Sequence, residues 1–189
     1  MDDPIRLALI YGSVRPGRFC DTVVQWVLEQ CRRTTLGGID LIDPAAEDIA
    51  AAMSKGRAEA LQLRIAAADA FVIVTPEYNR SFPGPLKTLI DAANREWHAK
   101  PVAFVSYGGV SGGLRAVEHL RGVFAELHAV GIRDGVSFPN VWETFGSNGR
   151  PRDEARYANA TRLMLERLRW WAGALKAARL DQPYMEVAA

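Results

Sequence analysis

The chain has little sulfur, little histidine and no excess of either charge. Its two cysteines, Cys20 and Cys31, lie in what reads as one helix. Eleven residues of helix separate them by about 16 Å, whereas a disulfide needs Cα atoms within about 7 Å. With no Cys-x-x-Cys pattern, reduced thiols and a cytoplasmic location are expected. The three histidines, His98, His119 and His128, fall in no ligand-spaced cluster, so no metal site is expected. Lysine and arginine number 23 against 22 acidic residues, a net charge of +1. That balance gives no reason to expect nucleic acid or an anionic membrane as partner. The longest apolar strand candidate, residues 70–74, is far short of the ~18 residues of a membrane span. The first four residues are acidic and lead straight into a strand, so no signal peptide is expected.

What is present is an alternation. At 189 residues and 49% hydrophobic content, with no shift in composition along the chain, residues 1–189 read as a single domain. Apolar, β-branched runs at 6–11, 39–42, 70–74, 101–107 and 136–138 predict five strands. Helical spacing predicts helices over 19–33, 47–68 (with a break at 54–56), 83–97, 114–127 and from 153 onward. On the last of these Trp170 and Trp171 are read as core or subunit interface. Strands alternating with helices require a parallel sheet covered on both faces, an α/β fold. Periodicity alone leaves the dinucleotide-binding and flavodoxin-like strand orders both open.

Three loops follow strands and hold the chemistry. Residues 12–18 (Gly-Ser-Val-Arg-Pro-Gly-Arg) contain neither Gly-x-Gly-x-x-Gly nor Gly-Lys-Ser/Thr, which argues against a dinucleotide fingerprint and against a P-loop. They supply a hydroxyl, two guanidinium groups and amides at a helix start, suited to a terminal phosphate. Residues 75–81 offer Glu77, Tyr78 and Asn79; residues 106–109 offer Ser106, Tyr107, Gly108 and Gly109, whose glycines admit a flat ligand close to the backbone. A phosphate cradle beside a backbone-lined slot matches the shape of flavin mononucleotide. The sequence shows no nucleophile–base pair, no Gly-x-Ser-x-Gly and no convincing carboxylate pair, so no catalytic side chain is assigned and the chemistry falls to a cofactor.

The segments Gly12-Ser13-x-Arg15, Thr75-Pro76-Glu77-Tyr78-Asn79-x-Ser81-x-Pro83-Gly84-x-Leu86-Lys87 and Ser106-Tyr107-Gly108-Gly109-x-x-Gly112-Gly113-x-Arg115-Ala116 together resemble the NADPH-dependent FMN reductase family, in order over residues 6–140. The resemblance implies a flavodoxin-like three-layer sandwich whose five-stranded parallel sheet runs 2-1-3-4-5. It implies that Ser13, Arg15, Arg18 and Phe19 with the neighbouring amides hold the FMN phosphate. Pro76, Glu77, Tyr78 and Asn79 would line one side of the isoalloxazine, and Ser106, Tyr107, Gly108 and Gly109 the other. It further implies an NAD(P)H oxidoreductase that passes hydride from NADPH or NADH to flavin and electrons on to quinones, free flavin or similar small acceptors by a ping-pong cycle. A homodimer or homotetramer is expected by the same analogy, with Phe82 and Trp97 read equally as interface or core. Arg80 and Arg115 are the candidates for the NADPH 2′-phosphate. The competing reading is a non-catalytic electron carrier or a flavin-dependent interaction protein; near-zero charge and arginines in the first loop speak for the enzyme.

Overall fold

The computed structural model describes residues 4–34, 37–46, 49–51 and 58–186. Five strands, β1 (Arg6–Tyr11), β2 (Gly38–Ile42), β3 (Ala70–Pro76), β4 (Pro101–Tyr107) and β5 (Val130–Phe138), form one parallel sheet in the order β2-β1-β3-β4-β5. This is the flavodoxin-like order, whose chain reversal beside β1 opens a crevice at the carboxyl ends of β1 and β3. The central strands β3 and β4 are buried at every position, which is why they read as uninterrupted apolar runs.

Helices cover both faces. On one lie α1 (Cys20–Arg32) and the long carboxyl-terminal α6 (Glu154–Asp181), packing Val23, Val24, Val27, Met164, Leu165 and Leu168 against Leu7, Leu9, Val72 and Val105. On the other lie α2 (Glu59–Ala67), α3 (Gly84–Asp91) and α4 (Leu114–Glu126), which bury Leu61, Ile65, Leu86, Ile90, Leu120 and Phe124 over Ile10, Phe71, Ile73 and Phe104. A short α5 (Val141–Thr144) follows β5. Among the described residues no helix is long and apolar enough to cross a membrane.

Three local outcomes differ from the sequence reading. β5 runs nine residues, not three, because Gly131, Arg133, Asp134 and Gly135 break its apolar pattern at a sheet edge; its register against β4 slips between Val102 and Phe104. The helix expected over 83–97 ends at Asp91 and resumes as a single 3₁₀ turn, Arg95–Trp97, that drives Trp97 wholly into the core. Trp170 and Trp171 are surface residues, in edge-to-face contact at 5.3 Å, which excludes the core reading of the pair and not the interface one; the buried stripe of α6 passes through Thr161, Met164, Leu165, Leu168 and Ala172. The break expected at 54–56 lies outside the described residues.

Candidate flavin site

Three loops leave the carboxyl ends of β1, β3 and β4 and meet over the crevice. The first departs at Gly12, whose amide donates to the Val74 carbonyl at 2.7 Å. A methyl group there would stand 2.6 Å from that same oxygen, so only glycine lets β1 leave the sheet this close to β3. Ser13 follows, fully buried, and its hydroxyl shares a 2.9 Å hydrogen bond with the Tyr78 hydroxyl of the second loop. The exposed Arg15 guanidinium lies over the Tyr78 ring, 3.7 Å from its centroid.

The amino end of α1 carries no side-chain cap: Phe19 occupies the cap position, and its ring packs edge-on against Phe145 at 5.5 Å. Among the described residues, the amides of Val14, Gly17, Phe19 and Cys20 donate to no protein atom. A helix start normally finds such a partner in a capping side chain. Here an anion would fill that role, favoured by the helix dipole and by Arg15.

Arg18 is otherwise engaged. It pairs with Asp43 at the end of β2 through both terminal nitrogens, one of them at 2.8 Å, donates from Nε to Asp21 at 2.8 Å, and also donates to the Ser13 carbonyl. Burial alone would raise the Asp43 carboxyl, but the bonds from Arg18 and the Ala45 amide outweigh it and hold the group below its ordinary value. The Asp43 and Asp21 bonds raise the Arg18 guanidinium in turn, against the opposing effect of burial. Arg18 thus braces the loop from behind, and Arg15, stacked on Tyr78, has no acidic partner among the described residues.

In the second loop Tyr78 and Ser81 pair through two backbone bonds, 2.8 and 3.1 Å, around a tight turn whose central residues, Asn79 (φ 50°) and Arg80 (φ 69°), are both left-handed. Two consecutive positive φ values define the type I′ hairpin turn, to which asparagine is suited and arginine is not. Ser81 shares a 3.0 Å bond with His119 of α4. The Glu77 backbone amide donates to the Tyr107 carbonyl at 3.2 Å, while its carboxylate accepts from the Ser111 hydroxyl (2.8 Å), the Arg115 amide (3.1 Å) and the Arg115 guanidinium (2.8 Å). Burial pushes this carboxyl up, and those three bonds more than offset it, leaving the group below the usual glutamate range. Glu77 is therefore a clamp between the second and third loops.

The third loop is tied down from every side. The Ser106 and Ser137 hydroxyls both donate to the Gly112 carbonyl, at 2.8 and 2.9 Å; the Asn140 and Val141 amides donate to the carbonyls of Gly109 and Gly108 at 2.9 and 3.0 Å. Strand alternation sends the Tyr107 ring down into the α1-side core beside Cys20, where burial raises its phenol strongly, so Tyr107 offers the crevice only its backbone. Gly109 has open space where a side chain would project.

The predicted residues thus divide. Ser13, Arg15 and Tyr78 meet beside the free amides of α1, while Gly108 and Gly109 lie on the third loop, which Glu77 joins to the second. Arg18, Glu77, Ser106 and Arg115 use their polar side-chain atoms to hold the loops, and Pro76 is the buried last residue of β3 beside Tyr107. Asp43, Ser111, Ser137 and Asn140 went unnoticed in the sequence; they are remote from their partners and belong to no local motif. The donor set fits FMN, with unpaired amides, a hydroxyl and a cation for a phosphate and a glycine-lined slot for a flat ring.

The pattern of the NADPH-dependent FMN reductase family matches residues 5–143. The chain belongs to this family. Its members are flavoprotein oxidoreductases. An NAD(P)H-dependent FMN reductase of Schizosaccharomyces pombe is 35% identical over 120 residues, covering 57% of this chain and 60% of the yeast protein. An NAD(P)H:quinone oxidoreductase of Solanum tuberosum is 35% identical over 138 residues, 67% of this chain and 71% of the potato protein. In three dimensions the flavoenzyme NAD(P)H:(acceptor) oxidoreductase FerB of Paracoccus denitrificans superimposes with a TM-score of 0.68 at 23% identity, covering 89% of this chain and 97% of that one, which shows a shared fold.

The Glu77 clamp makes a pH-dependent prediction. Because its carboxyl is lowered in the folded state, the stability it contributes is fully present above a free glutamate's 4.5 and is lost as pH falls through the lower folded value. Arg115 is 44% exposed, which screens the pair. Glu77→Gln is expected to cost about 1–2 kcal/mol at neutral pH and to abolish that acid-side segment of the stability–pH profile. Urea midpoints measured between pH 3 and 7 check this; superimposable profiles for the two proteins would refute the clamp.

Proposed function

We propose that this chain binds FMN with its phosphate at the amino end of α1, oxidises NADPH or NADH, and reduces quinones, free flavin or similar small acceptors that use the same slot in turn. The observation that supports this most is the uncapped start of α1, whose free amides lie beside the Ser13 hydroxyl and the Arg15 guanidinium. Bound FMN supplies the hydride-accepting ring position and a two-electron store. The protein orients that group. The amides of Val14, Gly17, Phe19 and Cys20 and the Arg15 guanidinium would hold the phosphate, and Tyr78, braced by Ser13, would border the ring edge. Gly108 and Gly109, held by α5, keep the opposite wall open to close approach. Fixed backbone dipoles of this kind stabilise negative charge on a ligand without reorganising.

Arg115 already pairs with Glu77, whereas Arg80 is exposed and has no acidic partner among the described residues. Arg80 is accordingly the better of the two candidates for the 2′-phosphate of NADPH. A cytoplasmic homodimer or homotetramer is part of the same reading. Val110, Leu114 and Trp142, at 84, 59 and 67% exposure, are large apolar side chains on or next to the loop that follows β4, where a second subunit would cover them.

Anaerobic addition of NADPH to FMN-loaded protein is expected to bleach the flavin, and a following quinone to restore its colour; yellow protein indifferent to both nicotinamides would favour an electron carrier. Arg15→Ala is expected to weaken FMN binding by about tenfold to a hundredfold, the worth of one charge-assisted hydrogen bond. Titration of FMN fluorescence quenching measures it. An unchanged affinity would remove Arg15 from the phosphate site.

A further inference from the structure

At the opposite end of the sheet from the flavin crevice, two histidines thirty residues apart in sequence come together. His98 precedes β4 and His128 precedes β5, and their ring centroids lie 4.9 Å apart. The backbone holding them is unusual: Ala99 (φ 51°) and His128 (φ 53°) are both left-handed, and the Ala99 amide donates to the His128 carbonyl at 2.9 Å. Each such non-glycine residue costs on the order of 1 kcal/mol or more, a cost that clusters where a structure must present a group in one orientation.

The carboxyl-terminal 3₁₀ turn, Tyr184–Glu186, then lays two further side chains on the pair. Met185 Sδ lies 3.3 Å from His98 Nδ1, and the Tyr184 hydroxyl is 2.8 Å from His128 Nδ1. A thioether is a weak hydrogen-bond acceptor, so the first contact satisfies His98 poorly. An ion about 2.0–2.3 Å from a nitrogen and a sulfur, at an open angle, separates those two atoms by about 3.3–3.6 Å. The observed spacing falls in that range.

We propose that His98, His128 and Met185 form a site for one Cu(I) ion, with Tyr184 fixing the orientation of His128. The thioether is a soft donor that favours this ion, and imidazole, a borderline donor, suits copper better than Mg²⁺, Ca²⁺ or Mn²⁺. His128 would ligate through Nε2, because Nδ1 is occupied by Tyr184, the outer hydrogen bond that metal-bound histidines commonly make. The adjoining cavity of about 340 Å³ is lined by Arg95, Lys100 and Arg179 against Glu96. Asp69, 3.6 Å from Arg179, offsets part of that charge, and the excess that is left penalises a divalent ion more than a monovalent one. Among the described residues no cluster of three or more His, Cys, Asp or Glu is placed to hold a metal, so this set depends on the methionine.

The test is anaerobic titration of the purified full-length protein with Cu(I) in competition with bicinchoninate. The expected result is one tightly held ion per chain, with affinity reduced about tenfold or more in both His98→Ala and Met185→Leu. Met185 is exposed, so its leucine variant keeps the fold. Failure of the unsubstituted protein to compete with the chelator would overturn the proposal. So would unchanged affinity in both variants, which would place the ion on the thiols of Cys20 or Cys31.

Discussion

Gly113→Ala is expected to lower the melting temperature by about 10 °C and to remove most flavin binding. Gly113 starts α4 with φ 83°, and a methyl group there would stand 2.8 Å from Ser106 Cβ and 2.9 Å from both the nitrogen and the oxygen of Tyr107. Left-handed alanine costs roughly 1 kcal/mol and overpacking against backbone about 1–3 more. At this chain length each kcal/mol moves the melting temperature by about 2–4 °C. Relief requires displacing the loop after β4, which is one wall of the crevice, so flavin affinity should fall with stability. Gly109→Ala is the control: nothing lies within 4 Å of its added methyl, and its melting temperature should stay within about 2 °C of the parent. Differential scanning calorimetry with and without FMN separates the two variants, and equal melting temperatures would show that the close approach at Gly113 is not a constraint.

Trp97→Ala should cost about 3–5 kcal/mol, as expected for deleting a fully buried tryptophan. Its ring lies 4.6 Å from Phe71 and 5.4 Å from Phe124, and its Nε1 donates to the Ile90 carbonyl at 3.1 Å. Trp97 is wholly buried among these partners, so it belongs to the core of the α2–α4 layer. The 3₁₀ turn that carries it leads into the amino end of β4, away from the crevice, so the folded fraction should bind FMN with parental affinity. Guanidinium unfolding together with a flavin titration gives both numbers. A small stability loss accompanied by a change in oligomeric size would instead assign Trp97 to a subunit interface.

Much of the fold could be read before any coordinates, and the reasons are local. Residues 70–76 and 101–107 are apolar at nearly every position because both sheet faces are covered, and that signal survives in sequence. β5 was legible only over its last three residues, because an edge strand with a register slip tolerates glycine and charge. Periodicity could not choose a strand order, since any parallel order buries the same runs. The family motifs pointed to 2-1-3-4-5, and the hydrogen-bonded ladders show it.

The candidate site divides along a similar line. By itself the sequence determined that three loops at strand ends carry the polar and glycine-rich chemistry, because composition and turn residues are written locally in the chain. Only the tertiary structure decided what each side chain does there. Arg18 is tied to Asp43, 25 residues distant, and Arg115 to Glu77, 38 residues distant. Strand alternation turned the Tyr107 ring toward Cys20 and left its backbone at the crevice. The pairing of His98 with His128 likewise exists only where two loops cross at the sheet's amino end. A side chain's role follows from the partners folding brings within about 3 Å, and those partners leave no local trace in the order of residues.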